Sequence, residues 1–75
     1  MPTLAAHHRR ALEMLAGAPN GLSENALLDH GISIEDMVEL GKYGLATARR
    51  ERLIIGGMPV EITRLYITVA GRQAV

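Results

Sequence analysis

The sequence predicts a single α+β domain: three helices, then a two-stranded β-hairpin and a short C-terminal turn. Three observations predict it. Apolar residues recur at helical spacing through the first half of the chain. Beyond Leu45, residues 46–55 and 60–69 are rich in Thr, Ile, Val, Leu and Tyr, with Gly56, Gly57 and Pro59 between them. The length, 75 residues, leaves room for one domain over 1–75 and excludes a two-domain enzyme with an interdomain cleft.

Each helix has a readable start and stop. Residues 4–16 form the first, with Leu4, His8, Ala11, Leu12 and Leu15 on one face and Arg9, Arg10 and Glu13 largely opposite. Gly17, Pro19, Asn20 and Gly21 end it. Ser23 caps a second helix over 24–30, stapled by Leu22 and Leu27 and stopped at Gly31. His30 stands in its last turn, where a polar donor suits the free carbonyls. Ser33 caps a third helix over 34–43, with Ile32 and Met37 at the staple positions and Gly44 as the stop. Ile34, Met37, Val38 and Gly41 are expected inward, and Glu35, Asp36, Glu39, Lys42 and Tyr43 outward.

In the hairpin, pairing Ile55 with Val60 sets Glu51 against Arg64. The tighter two-residue turn sets Arg49 against Arg64, a like-charge contact that disfavours it. Both registers give the same faces. One carries Ala46, Ala48, Arg50, Arg52 and Ile54 with Glu61, Thr63, Leu65, Ile67 and Val69, and its apolar base should rest on the helices. Thr68 is placed to cap a last helical turn.

Composition narrows the function. Hydrophobic residues make up 48% of the chain, too many for a disordered one. Without Cys there is no disulfide framework and no thiolate metal site, so packing alone must hold a small core. No apolar run approaches the roughly 18 residues that cross a bilayer, and no basic-then-apolar leader opens the chain. A cytoplasmic location is expected. The net charge is zero, but residues 1–41 hold two arginines against six carboxylates, a balance of −4, and residues 42–75 carry +4. Such asymmetry points to nucleic-acid binding or charge-paired assembly.

The stretch LSENALLDHGISIEDMVELGKYGLA, residues 22–46, resembles the second and third helices of a winged helix-turn-helix domain, ending in the Gly-Leu that leads into the wing. ITVAGRQAV, residues 67–75, resembles the stretch that leaves the wing in many small bacterial transcription regulators. The resemblance implies DNA binding, with the third helix in the major groove and the wing on the backbone or in the minor groove. The expected outward face of this third helix carries Glu35, Asp36 and Glu39 against one Lys42, which phosphate would repel. The expected contact therefore moves to the wing. The long C-terminal helix through which some family members dimerise has no counterpart here, so a two-fold assembly would need another contact.

Lys42, Arg49, Arg50, Arg52 and Arg64 are the candidate phosphate contacts, with Ser33 and Tyr43 near the groove. The alternative for the arginines is a solvated hairpin pairing locally with Glu51 and Glu61. Strands of ten residues span roughly 33 Å, more than the ~29 Å diameter expected of a 75-residue globule. The tip should overhang, yet it carries Leu53, Ile54, Ile55, Met58, Val60 and Ile62. Either it folds back over Met14 or Leu40, or Leu53, Ile55, Met58, Val60 and Ile62 form an interface with a partner, most simply in a homodimer.

His7 and His8 are adjacent, about 100° apart on a helix, and are not expected to share a metal as an i, i+4 pair would. His8 is expected as a hydrogen-bonded core residue. Gly56-Gly57 lies between strands and is no phosphate cradle. Tyr43 and Tyr66 are too few aromatics for a base-stacking platform. No catalytic residue, metal, cofactor, membrane or small-molecule substrate is indicated. The sequence supports two function classes: a DNA-binding transcriptional regulator, or a winged-helix protein-interaction module that self-associates.

Overall fold

The computed structural model describes residues 5–75. Its elements run α1 (Ala6–Ala16), β1 (Leu22–Ser23), α2 (Glu24–Asp29), α3 (Ile34–Lys42), β2 (Ala46–Ile55), β3 (Met58–Ile67) and α4 (Val69–Gln73). The fold is α+β, with four helices and a three-stranded antiparallel sheet in the order β1-β3-β2. β1 goes beyond the sequence expectation: Leu22 pairs with Leu65 and Ser23 with Arg64. Two residues are too few to show a strand's period of two. No helix among the described residues is long and apolar enough to cross a membrane.

The expected caps form. Ser23 Oγ accepts from the Ala26 N–H at 3.2 Å. Ser33 Oγ accepts from the Asp36 N–H at 3.1 Å, and Asp36 Oδ2 accepts from the Ser33 N–H at 3.4 Å, a reciprocal capping box. His30 Nδ1 donates to the Ala26 carbonyl at 2.8 Å in the last turn of α2. The buried face of α1 is His8, Ala11, Leu12 and Leu15, as its spacing predicts. Leu4, expected on the same face, lies outside the described residues. Leu12, Leu15, Leu27, Ile32 and Leu40 are fully buried in one cluster, closed by Ala46 and Leu65 from the sheet. Each such leucine contributes about 1.5–3 kcal/mol through burial.

The roll of α3 differs from the expectation. Its buried residues are Asp36, Met37 and Leu40, whereas Ile34 is 43% and Val38 63% exposed. Two apolar stripes share Met37 on this helix. Leu40 enters the core and takes the Met37–Leu40 side inward, so the Ile34–Val38 side turns to solvent. Asp36 follows Leu40 toward the body of the fold.

The hairpin also takes the disfavoured register. Ile55 pairs with Met58, Leu53 with Val60 and Arg49 with Arg64, so the second strand runs 58–67 rather than 60–69. Gly56 and Gly57 have φ of 57° and 80°. A two-residue type I′ turn needs a positive φ at both central positions, and two glycines meet that need without strain. The like-charge pair is defused locally. Arg64 Nε donates to Glu51 Oε1 at 2.7 Å, and the Arg49 guanidinium lies 5.5 Å from the centre of the Tyr66 ring.

The chain then turns under the domain. Thr68 Oγ1 accepts from the Gly71 N–H at 3.0 Å, capping α4, and donates to the Gly44 carbonyl at 2.7 Å. Val69 therefore starts a helix instead of extending the strand, and is 74% exposed. A Cβ at Gly71 would overlap the Leu45 carbonyl oxygen and lie 2.7 Å from Ile67 Cγ1. Arg72 Nη1 donates to the Ala16 carbonyl at 3.4 Å, at the end of α1. Thr68, Gly71 and Arg72 thus cap, admit and anchor one turn against the strand base. Gly71→Ala should destabilise the domain by about 1–3 kcal/mol through overpacking, and Thr68→Ala by about 1 kcal/mol through loss of the cap. Urea unfolding checks both; a Gly71→Ala chain as stable as the parent would contradict the close approach.

Candidate nucleic-acid interface

The hairpin reverses its amphipathicity along its length. At its base the helix-facing side carries Ala46, Leu65 and Ile67, which pack on the core. Farther out that side turns polar, with Arg50 opposite Thr63 and Arg52 opposite Glu61. The outer side does the converse. Near the base it holds Arg49, Glu51, Arg64 and Tyr66. Toward the tip it holds Leu53 with Val60 and Ile55 with Met58, flanked by Ile62. Side chains directly opposite share a face, so these five apolar residues form one patch. The domain measures 47 × 23 × 20 Å, and Ile54, Ile55 and Met58 are 58–68% exposed. The tip overhangs, as strand length predicts, and does not fold back over Met14 or Leu40.

The hairpin arginines divide into paired and unpaired. Arg52 Nη2 lies 3.4 Å from Glu61 Oε1, and Arg64 is fixed to Glu51. Glu51 Oε1 also accepts from the Tyr66 hydroxyl at 2.8 Å. Arg49 and Arg50 have no carboxylate partner among the described residues, and both are exposed. The local pairing expected as an alternative therefore applies to Arg52 and Arg64 only.

The free face of α3 is also less acidic than expected. It presents Ile34, Glu35, Val38, Gly41 and Lys42. Asp36 is buried, and Glu39 turns toward α1, with its Oε1 3.4 Å from His8 Nε2. Glu35 stays on the free face with Lys42 to balance it, while the Glu39 side chain, 44% exposed, leans to the α1 side. Between this face and the hairpin base runs an apolar groove lined by Ile34, Val38, Gly41, Ala48 and Thr63, with Glu24 at its margin. Ser33 is occupied in capping α3, and Tyr43, its C-cap residue, is 56% exposed with its ring 6.2 Å from that of His8.

The histidines converge in a way their adjacency does not suggest. His7 Nε2 lies 3.1 Å and His8 Nε2 3.5 Å from the same oxygen, Asp36 Oδ1. His8 is buried, yet its Nε2 makes no hydrogen bond. The expectation of a hydrogen-bonded core histidine is half met: the ring is in the core and this nitrogen is unpartnered. The signal available in the sequence was the pair of Ser33-x-x-Asp36, which pins Asp36 near the helix start, and a histidine on an apolar face. Relative helix placement, which the sequence does not display, joins them. Comparisons with known protein families, with curated proteins and with solved structures found no match to this chain.

The hydrogen bond from Tyr66, with the Arg64 guanidinium, holds the Glu51 carboxyl below its ordinary 4.5. The same bond raises the Tyr66 phenol above its ordinary 10.0. The depressed carboxyl contributes stability that is whole above its unfolded value and disappears as pH falls through the folded one. The raised phenol contributes stability that is whole below its unfolded value and disappears as pH rises through the folded one. Glu51→Gln should therefore flatten the acid limb of the urea midpoint and lower the Tyr66 titration read by phenolate absorbance. A Tyr66 titration unchanged in that variant would contradict the pairing.

Proposed function

We propose that this domain is a winged helix-turn-helix DNA-binding module of the transcription-regulator kind. In this reading α2 and α3 are the helix-turn-helix and the β2–β3 hairpin is the wing. α3 lies along the major groove through its Ile34–Val38–Lys42 face, and the base of the wing meets the phosphate backbone through Arg49 and Arg50. The observation that supports it most is the roll of α3. Burial of Asp36 and the turn of Glu39 toward α1 leave the presented face nearly neutral, with Lys42 on it. Apolar side chains on such a face suit thymine methyl groups. Arg49 and Arg50 lie on opposite sides of one strand, so they straddle the wing edge. Arg52 and Arg64 hold the wing's shape through Glu61 and Glu51.

In a titration of a labelled mixed-sequence duplex at about 50 mM salt, Arg49→Ala with Arg50→Ala should weaken binding about tenfold. Arg52→Ala should change it far less. Absence of any duplex binding by the parent chain, or equal losses in the two variants, would contradict the reading.

The outer apolar patch supports a second reading, self-association through the wing. Leu53, Ile55, Met58, Val60 and Ile62 lie on one face of the hairpin, and a two-fold axis through that face would bury it against its copy. Sedimentation should show a dimer that Ile55→Asp dissociates without loss of fold. A parent chain that stays monomeric at millimolar concentration would contradict it.

A further inference from the structure

The one unpartnered buried polar side-chain atom among the described residues is His8 Nε2. Its surroundings are specific. It lies 3.5 Å from Asp36 Oδ1 and 3.4 Å from Glu39 Oε1, and His7 Nε2 lies 3.1 Å from the same Asp36 oxygen. The His8 side chain is 8% exposed and that of Asp36 12%, while His7 is more than half exposed at the rim. One ligand atom each from His7, His8 and Asp36 lies within 4.8 Å of the others. Two imidazole nitrogens and a carboxylate oxygen, with a second carboxylate beside His8, make a cluster of Lewis bases.

We propose that His7, His8 and Asp36 form a three-residue binding site for a divalent transition metal ion of the zinc class. Geometry and donor chemistry both favour it. Tetrahedral ligands about 2.1 Å from an ion stand about 3.4 Å from one another. The separations of the two imidazole nitrogens from Asp36 Oδ1, 3.1 and 3.5 Å, match that spacing, and all three ligand atoms lie within 4.8 Å of one another. Imidazole with carboxylate suits zinc, nickel and copper, whereas calcium and magnesium require an all-oxygen shell. Asp36 is oriented from behind: its other oxygen, Oδ2, accepts from the Ser33 N–H, so the capping box aims Oδ1 at the histidines. Neighbouring histidines on one helix reach a common point because Asp36 comes from a second helix and meets both ring edges, the two rings standing 63° apart.

Binding would tie α1 to α3 by bonds present only in the folded chain, so the metal would stabilise the fold by linkage. This site is separate from the duplex-facing surface, and its test is independent of the DNA reading.

Zinc ion is titrated into the metal-stripped chain by calorimetry, with thermal unfolding and the visible spectrum of the cobalt-substituted chain as further readouts. The expected result is one ion per chain, a raised midpoint with excess zinc, and the intense visible bands of tetrahedral cobalt. His7→Ala changes an exposed side chain. Measured against its own metal-free midpoint, it should show no zinc-induced shift, and it should bind at least tenfold more weakly; His30→Ala should bind as the parent does. Failure of the parent chain to bind zinc, or binding undiminished in His7→Ala, would overturn the assignment. So would a hydrogen-bonded proton that fills the same place, seen as a persistent Nε2–H resonance of His8 in the presence of excess zinc.

Discussion

Leu40 governs much of what this domain presents to its surroundings. Its complete burial sets the roll of α3, and the roll decides the fate of every other side chain on that helix. Met37 goes inward with it, and Asp36 is carried to the α1 side, where it meets His7 and His8. Ile34, Val38 and Lys42 are left facing outward. Had the Ile34–Val38 stripe won the core, three carboxylates would have formed the exposed face. A cavity-prone alternative with Leu40 exposed forfeits burial worth about 1.5–3 kcal/mol, and it would also unmake the convergence of Asp36 with the histidines.

The hairpin obeys a second constraint, set by its turn. Two glycines at positive φ permit the tight connection, and the tight connection places Arg49 opposite Arg64. A cross-strand like-charge pair costs a fraction of a kcal/mol. Glu51 and Tyr66 offset it by engaging one arginine through a carboxylate and the other through a ring. The result is a hairpin in which charge is sorted: Arg64 is fixed to Glu51, Arg52 pairs at the surface with Glu61, and Arg49 and Arg50 have no carboxylate partner among the described residues. The same register gathers Leu53, Ile55, Met58, Val60 and Ile62 on one outer face.

What was legible in the sequence was whatever depends on local chemistry. The Ser23 and Ser33 caps, the buried His8–Leu15 stripe of α1, the first hairpin strand and the Thr68 cap each rest on residues within a few positions of one another, and these appear where expected. Three features were not legible because each depends on a comparison between distant parts. The roll of α3 required knowing which of two apolar stripes meets α1. The register required weighing a turn preference against charges that a third and a fourth residue neutralise. The histidine–aspartate cluster joins residues nearly thirty positions apart in the chain. The overhang of the tip was legible from length alone, since strands of that span outrun a domain of this size.

On the proposed DNA-binding reading, the cations that meet a duplex are Lys42, Arg49 and Arg50, because Arg52 and Arg64 pair with Glu61 and Glu51. The most direct test is the slope of the logarithm of the duplex association constant against the logarithm of salt concentration. Each phosphate neutralised contributes about −0.9 to that slope. The account predicts a slope of about −3 for the parent chain, shallower by about 2 when Arg49 and Arg50 are both replaced by alanine. A slope near −5, which would require Arg52 and Arg64 on phosphate as well, would contradict it, as would a slope that the double replacement leaves unchanged.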